Sequence, residues 1–193
     1  MIFLIHDMPT HTEINEAKKN LADMTLNHWL HHDLFSIQWW ILVCATILPY
    51  FIWWKLVNKN RFYEIFTYGL LCGFFSIVLD IIGTEMMLWS YPDKLLPWIP
   101  PLIPADLVMI PITAMLVYQY TNKWKTFIAG TIIWAVLFSY IFEPLFVAWK
   151  MFMLGPVWKH SYSFFGFIFL GIFLRLLFLG IKKELIQSLK DST

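Results

Sequence analysis

Five long apolar blocks dominate this chain, and each has the length that a helix needs to cross a lipid bilayer. They cover residues 36–57, 63–89, 101–120, 126–148 and 162–181. A bilayer core of about 30 Å is spanned by roughly 20 apolar residues in a helix. None of the blocks alternates apolar and polar residues with the two-residue period of a half-buried strand. The sequence therefore predicts an all-α fold, a polytopic membrane helical bundle with five transmembrane helices.

The composition is unlike that of a water-soluble domain. Hydrophobic residues make up 59% of the 193 residues and charged residues 14%, against roughly 25% charged in a soluble domain. The formal net charge is +1, and the sequence has no dispersed basic surface of the kind that binds nucleic acid. The lipid bilayer is thus the predicted partner, no nucleic-acid partner is expected, and the oligomeric state is left open.

The segment before the first apolar block, residues 1–35, is predicted to hold an amphipathic interfacial helix. This helix covers residues 10–33, with Thr12 as the candidate N-cap and Glu13 in its first turn. Residues 1–7 have no basic region and too short an apolar run for a signal peptide. We therefore expect no cleaved leader.

A cluster of imidazoles and one carboxylate closes this helix: His28, His31, His32 and Asp33. Their spacing brings three imidazoles near one another, so a metal site and an interfacial polar cluster are the two interpretations. No cysteine or HExxH framework accompanies them. We therefore favour the polar cluster and predict no metal site.

The basic residues outside the membrane blocks predict an orientation, because cytoplasmic loops carry an excess of Lys and Arg. Eight of them fall on one side of the bundle: Lys55, Lys59, Arg61, Lys123, Lys125, Lys182, Lys183 and Lys190. Five fall on the other side: Lys18, Lys19, Lys94, Lys150 and Lys159. The bias predicts a multi-pass cell-membrane protein with its N-terminus outside. Residues 36–181 are then the transmembrane domain, and residues 182–193 are a cytoplasmic tail.

Four acidic residues from three predicted helices fall at a similar depth, in the outer half of the bundle: Asp80, Glu85, Asp106 and Glu143. An aspartate at the centre of a membrane helix costs about 2.5–3.5 kcal/mol on insertion scales, so several of them should not face lipid. We expect them to line a shared interior cavity. A neutral carboxyl group in such a cavity can act as a general acid. Asp80, Asp106 and Glu143 are therefore the candidate catalytic residues, although each taken singly fits a hydrogen-bonded packing role equally well.

Two further features lie near these acids. Pro111 and Pro144 follow Asp106 and Glu143 and predict kinks, since proline removes a helical hydrogen bond. His160 precedes the last apolar block and places a titratable imidazole at the predicted cavity mouth. His160 is either a proton carrier or an interfacial residue without a role.

The order of motifs around these acids resembles the lycopene cyclase domain of membrane carotenoid cyclases. The motifs are Leu79-Asp80, Trp89-Ser90-Tyr91, a proline-rich loop, and Pro104-Ala105-Asp106. In that family an acid in an apolar helix is followed by Trp-x-Tyr and then by Pro-x-Glu-Glu. Asp106 stands at the first of those glutamates and Leu107 at the second. Over its whole length the chain is similar to a family of small five-span membrane proteins of Bacillus-type bacteria that has no assigned function.

The resemblance implies a cofactor-free isoprenoid cyclase, in which a carboxylic acid protonates an alkene and aromatic rings stabilise the carbocation. Trp89, Tyr91 and Trp98 are the candidate rings, and Glu85 and His160 complete the predicted substrate-binding set. Two alternatives without catalysis remain open. One is a small transporter or proton relay that uses the same carboxylates, and the other is a membrane assembly protein whose polar cluster holds helices together.

Overall fold

The computed structural model describes residues 8–191 as a bundle of helices. The α-helices are α1 (His11–His28), α2 (Ile37–Leu56), α3 (Phe62–Glu85), α4 (Ile110–Tyr120), α5 (Trp124–Val136), α6 (Glu143–Ala148) and α7 (His160–Asp191). Wider π-helical turns form Trp29–Asp33, Pro104–Met109 and Leu137–Phe142, and a 3-10 turn forms Lys59–Arg61. Two short strands, β1 (Trp89–Ser90) and β2 (Met153–Leu154), join the loops. The segment 1–7, where no leader was predicted, lies outside the described residues.

Four helical stretches are long and apolar enough to cross a membrane: Ile37–Leu56, Lys59–Glu85, Trp124–Ala148 and His160–Glu184. They coincide with four of the five predicted spans to within a few residues. The all-α class is therefore confirmed for the described part of the chain. The last of these helices does not stop near residue 181, because α7 continues to Asp191.

The remaining predicted span, residues 101–120, is shorter than the other four. It consists of the six-residue π-helix Pro104–Met109 and the eleven residues of α4. Most side chains of α4 are buried: Ile110, Pro111, Ile112, Ala114, Met115, Tyr118 and Gln119. A helix enclosed by protein does not have to match the thickness of the bilayer, and irregular backbone is tolerated there. This central helix positions the candidate site from inside the bundle.

Two glycines one helical turn apart allow α3 to pack closely against α4. A Cβ atom at Gly69 would overlap the side chain of Met115, and one at Gly73 would lie 3.3 Å from Cγ of Pro111. Small residues at this spacing let membrane helices approach through their backbones. The close approach brings the Pro104–Met109 turn against the face of α3 that carries Ser76 and Asp80.

The kinks predicted at the two prolines take the form of π-helical turns. Pro104–Met109 precedes Pro111, and Leu137–Phe142 precedes Pro144. Pro111 has no N–H, so the carbonyl of Leu107 lacks its usual helical donor. The hydroxyl of Tyr50 in α2 donates to that carbonyl at 3.3 Å. A side chain of α2 thus supplies the hydrogen bond that the carbonyl of Leu107 cannot receive from Pro111.

The two ends of the bundle are chemically different. At one end, here called the basic end, the carboxylate of Glu64 accepts hydrogen bonds from Arg61, Tyr118 and Lys182. The side chain of Arg175 on α7 is buried at this end. Its guanidinium donates to the backbone carbonyls of Thr121 and Asn122, between α4 and α5. The other end, here called the cavity end, carries the two strands and the predicted acids.

The N-terminal helix lies at the cavity end and begins at a different cap from the one predicted. Thr10, not Thr12, is the N-cap, and it exchanges hydrogen bonds with Glu13 in a capping box. The reciprocal pair needs Glu or Gln three residues after the cap, which Thr10 has and Thr12 lacks. No residue of α1 is buried. The helix is joined to the bundle mainly after its end, where Trp29 Nε1 donates to the carbonyl of Lys94 at 3.0 Å.

Candidate functional site

The two loops at the cavity end are joined by a small antiparallel sheet. Trp89 of β1 lies opposite Leu154 of β2, and Ser90 lies opposite Met153. Gly155 extends this contact by donating its N–H to the carbonyl of Leu88 at 2.7 Å. A Cβ atom at Gly155 would overlap backbone atoms of residues 87 and 88, so only glycine allows this approach. The sheet fixes the loop after α3 against the loop after α6.

Beneath this sheet lies a cavity of about 320 Å³. Pockets for small molecules usually measure about 300–1,000 Å³. The lining side chains are mostly aromatic and aliphatic and come from α3, the Pro104–Met109 turn, the Leu137–Phe142 turn, α6 and α7. Three carboxyl groups interrupt this apolar wall: Asp80, Asp106 and Glu143. The three predicted catalytic residues therefore share one cavity.

Asp80 is held by three donors from the loop that follows its helix. Its Oδ1 accepts from Trp89 Nε1 and from the Tyr91 hydroxyl, each at 2.6 Å, and its Oδ2 accepts from the backbone N–H of Leu102 at 3.3 Å. Burial of the phenol, reinforced by the neighbouring acids, raises the pKa of Tyr91, so its hydroxyl keeps its proton and donates. Three donors on one group favour its charged form.

Asp106 has far fewer partners although it is only 4% exposed. Its Oδ1 accepts from the hydroxyl of Ser76 at 2.8 Å. Its Oδ2 is buried and has no hydrogen-bond partner among the described residues. An unpaired buried oxygen is costly, so this atom requires a proton, a water molecule or a ligand.

Asp80 and Asp106 line the same cavity, and Leu102 is hydrogen-bonded to both residues: its N–H donates to Asp80 Oδ2, and its carbonyl accepts from the backbone N–H of Asp106. Two adjacent negative charges repel each other, so such a pair retains one proton. Because Asp80 accepts three donors and Asp106 accepts one, the proton belongs on Asp106. That proton would also remove the negative charge from the unpaired Oδ2. A neutral carboxylic acid beside a carboxylate is the arrangement that general acid catalysis needs, and the unequal number of donors on the two aspartates favours it.

Glu143 forms a second titratable pair at the edge of the cavity. Its Oε2 lies 2.9 Å from Nδ1 of His160, and the two side chains are 16% and 29% exposed. Ser163, next to this pair, accepts from Trp158 Nε1 at 2.9 Å. His160 does not line the cavity itself. The Glu143 carboxylate, which lines the cavity, therefore connects the imidazole to it.

The structure divides the predicted substrate-binding residues into two groups. Trp89 and Tyr91 line the cavity, and both donate to Asp80. Glu85 is exposed at the end of α3 and lies outside the cavity. Trp98 is 68% exposed and is also absent from the lining. Trp89 and Tyr91 therefore act first as hydrogen-bond donors to an acid.

Three contributors to the site were not identified in the sequence. Ser76 and Gly83 lie on the face of α3 that carries Asp80, four residues before it and three after it. Residues three and four apart share a helix face, so this spacing was the available signal. The third contributor is the backbone N–H of Leu102. It gives no signal in the sequence, because any residue except proline supplies the same donor.

Gly83 leaves the space in which the Trp89 indole lies against α3. A Cβ atom at Gly83 would overlap that ring, so Gly83→Ala should displace Trp89 from Asp80. We expect a loss of about 1–3 kcal/mol in the free energy of unfolding, as for other overpacked sites. Thermal unfolding in detergent, followed by tryptophan emission, measures this change.

The matched control is Gly180→Ala in α7, where nothing lies within 4 Å of the new Cβ atom. Exchanging a helical glycine for alanine at an open position stabilises a helix by up to about 1 kcal/mol. The two variants should therefore change the midpoint in opposite directions. Equal behaviour would mean that the Trp89 ring is not confined by Gly83.

A second cavity, of about 360 Å³, lies outside the first, between α1 and the loop around Pro92. His28 and Asp33 line it, with His28 Nε2 3.4 Å from Asp33 Oδ1. His28 also stacks on His32, at 4.8 Å between ring centroids. No group of three or more metal-binding side chains occurs within residues 8–191. Tyr91 lines both cavities and separates them.

The motifs that carry the resemblance to lycopene cyclase domains meet on one side of the cavity. Asp80, Trp89, Tyr91 and Asp106 all line it, whereas Leu107, at the second acidic position of the family motif, is 43% exposed. Both this resemblance and the one to five-span Bacillus-type proteins remain predictions. Comparison of the chain with protein-family models, curated proteins and solved structures gave no match.

Proposed function

We propose that this protein is a membrane enzyme that cyclises an isoprenoid by protonating one of its double bonds, with Asp106 as the acid. The observation that carries the proposal is the unpaired, buried Oδ2 of Asp106 in an apolar cavity, beside the carboxylate of Asp80. A proton donor is useful to an alkene only where water is excluded, because water captures carbocations. The resemblance of residues 79–106 to the cyclase motifs supports the choice of an isoprenoid.

The proposed reaction needs no cofactor, since substrate and product are isomers. The Asp106 carboxyl gives its proton to one carbon of a double bond and leaves a carbocation on the other carbon. The electron pair of a second double bond attacks that cation and closes the ring. A neighbouring carbon then loses a proton to a carboxylate, either that of Asp106 or that of Glu143.

The aromatic lining suits the cationic intermediate. Phe138 and Phe142 line the cavity and pack edge to face at 5.3 Å between centroids, and Phe152 lines it beneath Tyr91. Ring faces attract cations by about 2 kcal/mol or more once water is excluded. These phenylalanines, instead of the exposed Trp98, take the role that the resemblance assigns to aromatic rings.

Membrane topology is part of the proposal. The chain would cross the cell membrane five times, with the central helix Pro104–Tyr120 as the shortest span, the N-terminus outside and the basic end in the cytoplasm. The Lys and Arg excess at that end supports this orientation. The cavity would then lie in the outer half of the bilayer.

Transport of protons or cations receives less support from the packing. The space between the cavity and the basic end is filled by the fully buried side chains of Tyr68 and Cys72 on α3, with Met115 on α4 against them. A transporter needs a polar route to its second side. Among the described residues, this apolar packing separates the cavity from the basic end of the bundle.

Isotope incorporation tests the proposed reaction. The purified protein, in vesicles prepared in D2O, is supplied with acyclic isoprenoids such as squalene or lycopene, and the lipids are analysed by mass spectrometry. Each protonation that starts a cyclisation adds one deuterium to the product, however many rings then close, whereas passive binding adds none. Conversion without deuterium, or no conversion of any acyclic isoprenoid by the folded protein, would refute the proposal.

A further inference from the structure

We infer that the cavity opens sideways into the bilayer through a window between α3 and α7, and that the hydrocarbon chain of a membrane lipid enters by this route. The inference rests on the proposed function for the identity of the occupant. Most residues that line the cavity are buried or half-buried. Three exposed exceptions are Leu79 and Ile82 on α3 and Gly166 on α7.

These three residues belong to two helices that are long and apolar enough to cross a membrane. An exposed lining residue on the outer face of such a helix lies where the cavity meets lipid. Leu79 and Ile82 are 47% and 49% exposed, and nothing lies within 4 Å of a Cβ atom placed at Gly166. The absence of a side chain at Gly166 therefore leaves a gap between α3 and α7.

Two aromatic pairs border the window. Each pair joins one residue of α3 or β1 to one residue of α7 or of the loop before it. On the outer side, Trp89 and Trp158 pack edge to face at 4.9 Å between centroids. On the inner side, Phe75 and Phe173 do the same at 5.0 Å. Leu79, Ile82 and Gly166 lie between these pairs, and there the apolar cavity wall continues onto the exposed surface of the two helices. An opening of this kind admits a chain that is already dissolved in the membrane.

The depth of the window fits a lipid chain in one leaflet. Leu79 and Ile82 lie six and three residues before the end of α3 at Glu85. At 1.5 Å per residue these positions are about 9 and 5 Å from the helix end, within the outer hydrocarbon layer of a spanning helix. Asp80 and Asp106 lie directly behind them, so a chain that enters here meets the two carboxyl groups.

Photo-crosslinking tests the window without any catalysis. The protein is placed in phosphatidylcholine vesicles that contain a phosphatidylcholine with a diazirine on a saturated acyl chain, and the adducts are mapped by mass spectrometry. We expect adducts inside the cavity, for example on the buried Phe138, as well as on exposed surface residues such as Phe51 of α2. Gly166→Phe should fill the window and lower the cavity adducts about tenfold, the change that ~1.4 kcal/mol of lost binding produces.

Gly180→Phe is the matched control, because Gly180 lies on the same helix and also has nothing within 4 Å of a new Cβ atom. It should leave the cavity adducts unchanged, and the Phe51 adducts should be equal in all variants. If Gly166→Phe does not fold, Leu79→Trp narrows the same window from α3. Cavity adducts that survive the folded window variants, or that are absent from the parent protein, would overturn the inference.

The acid chemistry is tested separately by the same assay. A saturated chain cannot be protonated, so the Asp106→Asn protein should retain its cavity adducts. If the proposed cyclisation is wrong, the cavity adducts should still form and should still fall in the Gly166→Phe protein. If the window is absent, these adducts should not follow the window variants, whatever isoprenoid products are found.

Discussion

Replacement of Asp80 by alanine is expected to lower the free energy of unfolding by about 3 kcal/mol or more, because three donors lose their acceptor at once. These donors are Trp89 Nε1, the Tyr91 hydroxyl and the N–H of Leu102. Each buried donor that is left unpaired costs about 1–3 kcal/mol. Denaturation of the detergent-solubilised protein, followed by circular dichroism, measures the loss.

Asp106→Ala is the control for this prediction, because it lies in the same cavity and breaks only the Ser76 hydrogen bond. Its expected loss is about 1 kcal/mol. Asp80→Asn should fall between the two, since its amide oxygen can still accept from Trp89 and Tyr91. An Asp106→Ala protein as unstable as the Asp80→Ala protein would show that Asp80 does not organise the loop.

Most of the helices could be predicted from the sequence because their apolar blocks have a length that only a membrane-spanning helix requires. The short central segment 101–120 could not be recognised as different. Its residues are as apolar as those of its neighbours, and its burial by protein depends on how the other helices pack. The pairing of β1 with β2 could not be predicted from the sequence either, because strands of two residues are too short to show an alternating pattern of apolar and polar residues.

The prediction that Asp80, Asp106 and Glu143 line one cavity followed from the free-energy cost of exposing carboxylates to lipid. Glu85 was included by depth alone, although helical geometry argues against it. Glu85 follows Asp80 by five residues. At 100° per residue, its side chain points about 140° away from that of Asp80 and lies on another face of α3. The same geometry, applied in full, would have excluded Glu85 and found Ser76 and Gly83. The position of the Trp98 side chain could not be predicted in this way, because the proline-rich loop around it has no regular backbone geometry.

The two aspartates differ in their hydrogen-bond partners, although no pattern in the sequence distinguishes them. Asp80 accepts hydrogen bonds that fasten the loop from Trp89 to Leu102 over the cavity. Asp106 keeps one oxygen unpaired and faces the same space. Stability should therefore depend mainly on Asp80 and proton transfer mainly on Asp106, so the two effects can be measured in different variants.

Asp106→Asn is expected to lower the rate of deuterium incorporation into cyclised product by about 10²–10⁴-fold, the usual contribution of a general acid. The amide has nearly the shape of the acid and can keep the hydrogen bond from Ser76, but it has no acidic proton to give. Its free energy of unfolding should change by less than about 1 kcal/mol. The rate is measured in vesicles in D2O, and stability is measured on the same preparation.

His160→Gln provides the comparison within the second titratable pair. It removes the imidazole next to Glu143 but leaves Asp80, Asp106 and their donors in place. If Asp106 is the acid, the His160→Gln protein should retain most of the rate, since its role is limited to the return of protons from outside the cavity. Rapid labelling by a folded Asp106→Asn protein would identify a different acid. Loss of labelling only in the His160→Gln protein would make Glu143 the proton donor.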